Sequence, residues 1–368
     1  MKRTLWAFST VFVLLGGCGN EPAPSGSEVE TRSLHVSDSI GVEMGDPAYV
    51  IGAIAAIGHT PSGAIAILDR PSANVKLYER NGDHVVTIAG KGEGPGELAS
   101  PDAMVLWPCG DISILDVYRG GYFRYNSQGN YLGPELEILQ NVHLDVIAVS
   151  DSDFVSVKSR FLTGEDVPRI SLFLGKFHFS IEPETVYWET VLTFDPSTFG
   201  NDVLRNYIYM SWTADPRTGN VYVCPFSETD YRILCYDSEG TLQREIVSEA
   251  PEVEKTEKEI QDEKDFLRGW LTALEGGDPP YSVDCEPYPY RLPVCDLDVD
   301  VEGNIWARRG TEDTPCFDIW TPEGDLIGHA VLEGVGPESR TWDFTIDRGG
   351  IVAYDQYPQD FQRIFIID

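Results

Sequence analysis

The chain has 368 residues, with 60 Asp and Glu against 27 Lys and Arg, for a formal net charge of -33. That balance excludes the basic stripe that a phosphate backbone needs, so no nucleic-acid partner is expected. The length exceeds a typical single core but suits one repetitive domain.

In chain order, Met1, Lys2 and Arg3 precede an apolar run from Leu5 to Leu15, then Gly16, Gly17 and Cys18. A charged start, a short apolar run and small residues form a secretory signal, here residues 1–17. The run is too short to cross a bilayer as a helix, so removal of the signal is expected. Leu15-Gly16-Gly17-Cys18 resembles the bacterial lipobox, which implies lipidation of Cys18 and attachment to a membrane through several acyl chains. Gly19 stands where an aspartate resembles an inner-membrane retention signal, so the same resemblance favours the outer membrane. Residues 18–33 are rich in Pro, Ser, Gly and Glu and read as a disordered tether before a single domain over 34–368.

That domain repeats. An apolar strand recurs as GAIAILD from Gly63, GDISILD from Gly110, DFVSV from Asp153, GNVYVC from Gly219, GNIWAR from Gly303 and GIVAYD from Gly350. Each is followed by another strand, and four of these run into polar turns ending at Gly82, Gly129, Gly240 and Gly324, where a positive φ is wanted. Gly63 and Gly110 are 47 residues apart, as are Gly303 and Gly350, which is the size of one four-stranded propeller blade. Two stacked sandwiches are the alternative, but they leave the recurring strand starts unexplained. The last copy ends after its third strand, and SLHVSDSIGV near the N-terminus is expected to complete it and close the ring.

With GKGEGPGEL at Gly90 to Leu98, the chain resembles the bacterial six-bladed, NHL-repeat-like propeller lipoproteins. The resemblance implies an all-β, six-bladed β-propeller of four-stranded antiparallel blades. In the motif, Lys91, Glu93 and Glu97 are candidates for a binding face, although a tight crossover built by glycines and Pro95 is the favoured reading of the segment. Residues 249–275 form one amphipathic helical insert, with Val253, Ile260, Leu267, Trp270, Leu271 and Leu274 at helical spacing. It lies in a crossover, on the same face as GKGEGPGEL, either to stabilise a blade or to act as a lid or docking element; Trp270 joins the candidate binding face.

Cys109, Cys224, Cys235, Cys285, Cys295 and Cys316 remain besides Cys18, and outside the cytoplasm the pairs Cys224/Cys235 and Cys285/Cys295 are disulfide candidates. Neither pair has zinc-site spacing. Asp296 and Asp343 occupy corresponding inner-strand positions, and His143 precedes an inner strand; these three are the candidates for an axial divalent cation such as calcium. No cofactor is otherwise expected. No hydrolase or nucleotide signature is present, so the favoured function is a non-enzymatic cell-envelope module binding a ligand or protein. The alternative is a metal-assisted hydrolase or lactonase with its site at the axial mouth.

Overall fold

Strands that are apolar on both faces are buried only when sheets stack face to face, and a ring of radial blades does this for every sheet. The computed structural model describes residues 29–137, 144–162, 169–178, 180, 182–193, 199–227, 230–275 and 285–368. β1 (Glu30–Leu34) and β2 (Val36–Ile40) come first. Blade one is β3 (Ile54–His59), β4 (Ile65–Asp69), β5 (Asn74–Tyr78) and β6 (His84–Ile88); blade two is β7 (Pro101–Leu106), β8 (Ile112–Asp116), β9 (Gly121–Tyr125) and β10 (Tyr131–Glu137). Blade three is β11 (Leu144–Ala148), β12 (Asp153–Leu162), β13 (Arg169–His178) and β14 (Thr185–Thr193). After α1 (Phe199–Val203), blade four is β15 (Ser211–Ala214), β16 (Val221–Cys224), β17 (Tyr231–Tyr236) and β18 (Leu242–Ser248). After α2 (Glu257–Glu275), blade five is β19 (Val294–Val299), β20 (Ile305–Arg309), β21 (Cys316–Trp320) and β22 (Leu326–Leu332). β23 (Trp342–Asp347), β24 (Gly350–Asp355) and β25 (Ile364–Ile367) begin blade six, and β2 completes it by pairing antiparallel with β25.

Six apolar clusters lie at the six seams. Leu77 and Phe123 join blades one and two, and Leu115 and Phe154 join two and three. Leu174 and Val221 join three and four, Ile233 and Leu297 join four and five, Phe317 and Phe344 join five and six, and Ile366 and Ile67 return from six to one. The ring is therefore closed by packing as well as by the β2–β25 ladder. The turns ending at Gly82, Gly129, Gly240 and Gly324 have φ of 86°, 82°, 84° and 89°, as the polar turn sequences require.

Four expectations are corrected. Residues 30–33, assigned to the tether, form β1 together with Leu34, and β1 adds a fifth, parallel strand to blade five through β22; Leu34 enters the seam of blades five and six, and its burial outweighs the polar composition around it. The helix begins at Glu257, so Val253 precedes it; the stretch 249–256 is held extended, with Lys255 N–H on Pro289 O and Arg291 N–H on Val253 O. Blade three departs from the repeat because β12 and β13 are ten residues each, a hairpin longer than the motif DFVSV showed. Finally, the cysteines described are free. In the β16–β17 ladder Tyr222 pairs with Cys235 while Cys224 is two residues further along, about 7 Å of strand rise out of register. Cys285 is buried in the cluster under α2, whereas the Cys295 sulfur takes a hydrogen bond from Arg308 Nε at 3.1 Å.

Candidate functional site at the axial mouth

Inner strands start on the face where outer strands cross to the next blade. Four of them carry an aspartate between two less polar residues at or next to their start: Pro101-Asp102-Ala103, Leu144-Asp145-Val146, Cys295-Asp296-Leu297 and Trp342-Asp343-Phe344. Ala103, Val146, Leu297, Trp342 and Phe344, which flank these aspartates, belong to the seams, which leaves the aspartates for the axis. In β7 and β11 a bulge sits at this point, between Pro101 and Ala103 and between Leu144 and Val146, and inserts the aspartate as the extra residue. Asp145 has φ 51°, a left-handed conformation that a non-glycine residue rarely adopts and that concentrates at functional sites.

The carboxylates act on one another across the ring. Asp145 of blade three feels Asp343 of blade six and Asp102 of blade two. Burial raises Asp145, opposed by a hydrogen bond that Tyr207 Oη donates to its Oδ2 at 3.1 Å. Tyr207 comes from a π-helical turn, Leu204–Ile208, closed by Tyr209 N–H on Leu204 O, a rare element common at functional sites. Burial lifts the Asp296 carboxyl to about 7, with Arg308 opposing and Asp343 adding to the rise. Asp343 is raised by burial against the pull of Tyr354, which donates to Oδ2 at 2.8 Å, and of Arg308. Asp298, two residues along β19 from Asp296, is raised by burial and then by Asp296, Asp347 and Asp343. Its Oδ2 accepts the Ile346 N–H at 3.2 Å, tying blade five to blade six. Arg308 is fixed by Trp342 O at 2.6 Å and Arg340 O at 3.2 Å. Asp102 pairs with Arg70 at 2.7 Å.

The structure thus brings Asp296 and Asp343 into one site, with Asp102, Asp145, Asp298, Tyr207 and Arg308 added to them. The bulges in β7 and β11 hide Asp102 and Asp145 from a residue-by-residue comparison of the inner strands. The recurring apolar-Asp-apolar start was the available signal. Cys18, His143 and the side chain of Trp270 lie outside the described residues. Among the described residues no three or more His, Cys, Asp or Glu side chains are grouped to hold a metal ion.

The GKGEGPGEL segment folds on itself. Leu98 N–H reaches Gly90 O, Gly92 N–H reaches Leu98 O, and Gly94 N–H donates to Glu97 Oε2 at 2.7 Å. Arg119 donates to Gly94 O at 3.0 Å and also to Glu97 O. Glu97 is therefore engaged in its own loop, while Lys91 and Glu93 are exposed. α2 is latched onto the same face. Thr256 and Glu259 form a capping box, the Glu259 carboxylate taking Thr256 N–H at 2.8 Å and the Thr256 hydroxyl taking Glu259 N–H at 3.2 Å. Glu259 also accepts from Arg291 Nε at 2.9 Å and from Arg340, and Glu263 accepts from Tyr209. Leu267 is fully buried with Val203, Leu204 and Tyr209. Among the described residues no helix is long and apolar enough to cross a membrane.

No family model and no curated protein sequence matches the chain. Among solved structures, a member of the DUF4221 family from Bacteroides vulgatus is similar at TM-score 0.50 and 10% identity, covering 91% of this chain and 97% of that one. A Bacteroides fragilis protein described as exported reaches 0.47 at 11% identity, covering 92% and 98% of the two chains. A gluconolactonase from Xanthomonas campestris reaches 0.43 at 12% identity, covering 86% and 87%. Sheet order, the six seams and the first of these likenesses define the class: the protein is a six-bladed β-propeller with four-stranded antiparallel blades. Likeness at this level of identity concerns the fold alone, and function rests on the site.

Proposed function

We propose that the protein is a cell-envelope propeller, tethered through lipid on Cys18, that binds a ligand at the crossover-face mouth of its axial channel without turning it over. The observation that carries this reading is the convergence of Asp102, Asp145, Asp296 and Asp343 from four blades, one of them strained and fixed by Tyr207. Preorganised polar groups in a concave setting are the usual mark of a ligand site. Hydrogen exchange with and without a small-molecule panel tests it. A ligand should slow exchange at residues 101–104, 144–147 and 342–345, and protection confined to the outer strands would sink the reading.

One observation favours a hydrolase or lactonase as the second reading: a carboxyl that titrates at about 7, as Asp296 does, suits general acid or base work at neutral pH. Turnover of an ester or lactone panel, with and without calcium, that disappears in Asp296→Asn would replace the binding reading. Tethering has its own test. Cys18→Ser should release a folded chain from membranes, and a variant still in the membrane fraction would remove the anchor from the proposal.

A further inference from the structure

On the face opposite the crossovers, the turns that follow the inner strands β19 and β23 border a cavity of about 320 Å³. That size suits a small organic molecule. Trp306, Ile346 and Ile351 bring the apolar surface of the seam between blades five and six to its wall, and Val301, 49% exposed, adds to it. Arg32 reaches it from β1. Alternate residues share one face of a strand, so Arg32 lies on the side of Leu34, which fills the seam, and its guanidinium stands over the Trp306 ring at 4.3 Å.

Six charged side chains line the cavity, and three of them are committed to the protein itself. Asp300 closes its own turn, accepting Asn304 N–H at 2.8 Å and Trp306 Nε1–H at 2.9 Å. Asp347 accepts Gly349 N–H at 2.7 Å and His59 N–H at 3.1 Å, with the buried His59 Nδ1 2.7 Å from its Oδ1. Arg80, from blade one, donates to Gly349 O at 2.7 Å and pairs with Asp368. The walls are thereby fixed before anything binds. The other three, Arg32, Arg348 and Glu302, form no side-chain hydrogen bond or ion pair among the described residues. In a chain with 60 carboxylates against 27 Lys and Arg, two arginines without a carboxylate on one small cavity run against the composition.

We infer that this cavity is a second binding site, independent of the axial mouth, for acidic α-amino acids. Its uncommitted charges are two guanidinium groups and one carboxylate, and the complementary small molecule carries two carboxylates and one ammonium. Stacking on Trp306 holds the planar Arg32 group in place while its N–H donors stay unused, the state that suits bidentate capture of a carboxylate. Arg348 takes the second carboxylate and Glu302 the ammonium, while the methylenes between them meet Val301, Ile346 and Ile351.

Titration calorimetry on the full mature chain tests this with L-glutamate, glutarate and L-norvaline as probes. Glutamate should bind one per chain. Glutarate lacks the ammonium and norvaline the second carboxylate, so each should bind about tenfold more weakly, one charge-assisted contact having gone. Arg32→Ala and Arg348→Ala should each weaken glutamate by about tenfold; Arg348 is an exposed turn residue, so folding is not at stake there. Glu302→Gln should weaken glutamate but not glutarate. No binding of glutamate, glutarate binding as tightly as glutamate, or glutamate affinity unchanged in both arginine variants would overturn the inference. Hydrogen exchange locates the site: glutamate should protect residues 300–304 and 347–350, and protection at residues 101–104 and 144–147 instead would overturn the inference while supporting the ligand reading of the mouth.

Discussion

At the scale of single residues, the same aspartate chemistry serves two purposes. Asp69 and Asp116, at the ends of β4 and β8, are fully buried and hold the incoming crossover: Asp69 Oδ1 accepts Gly52 N–H at 3.2 Å, and Asp116 accepts Ala99 N–H at 2.5 Å and Arg119 N–H at 3.0 Å. Charge-assisted bonds to backbone donors are worth more than neutral ones, and their loss strands the N–H groups. Asp116→Ala should therefore cost roughly 2–4 kcal/mol in urea unfolding; a loss under half a kcal/mol would mean water replaces the carboxylate. The channel aspartates make stability depend on pH. A carboxyl whose folded value is raised binds its proton more tightly in the native state, so stability is greatest below its unfolded value and falls as pH rises towards the folded value. For Asp296 that window runs from about 4 to about 7, and Asp298 and Asp343 extend it in the same direction. The urea midpoint should decline across that window and the decline should flatten in Asp298→Asn; an unchanged slope in the variant would assign the effect elsewhere.

At the scale of elements, α2 is anchored chiefly by Glu259. Burial works to raise this carboxyl, but the N–H and hydroxyl of Thr256 and the guanidinium groups of Arg291 and Arg340 hold it at about 2. A depressed carboxyl contributes stability above its unfolded value that is lost as pH falls, here between about 4.5 and 2. Glu259→Ala should speed hydrogen exchange over residues 257–269 by at least tenfold, about 1.4 kcal/mol of local stability; exchange as slow as in the parent would show that Leu267 alone docks the helix. The start of α2 was legible, since Thr256-Glu257-Lys258-Glu259 is a capping-box sequence, but the apolar periodicity reached back to Val253 and pulled the expected boundary forward. The apolar strands and glycine turns were legible for the same reason: one residue type at one position meets one physical requirement. The bulges in β7 and β11 were not, because an extra residue changes the parity of a strand without changing its composition, and parity decides whether Asp102 and Asp145 face the axis or the seam. β1 was hidden too, its pairing depending on a partner strand some 300 residues away.

At the scale of the whole molecule, the N-terminal segment makes two different contributions that truncation separates. β1 lies outside a blade that already has four strands, and its main apolar contribution is Leu34, with Arg32 stacked over Trp306 at 4.3 Å. β2 supplies the fourth strand of blade six, buries Ile40 in the seam with blade one, and covers the backbone edge of β25. Removing residues up to 34 should lower stability by about 2–5 kcal/mol, the range for losing a buried Leu plus a ladder edge, and leave a soluble monomer. Removing residues up to 41 should do more than double the loss, because it opens a ring whose other seams each hold their neighbours in place and exposes Ile364–Ile367 as an unpaired apolar strand, a template for association between chains. Sedimentation and thermal unfolding distinguish the two truncations. If both remain monomeric with the same midpoint, closure is carried by the seam between blades six and one alone, and β2 is dispensable to the ring. If the longer truncation aggregates while the shorter does not, β2 is the element that closes the ring and shields β25, and β1 is an accessory strand on a blade that is complete without it.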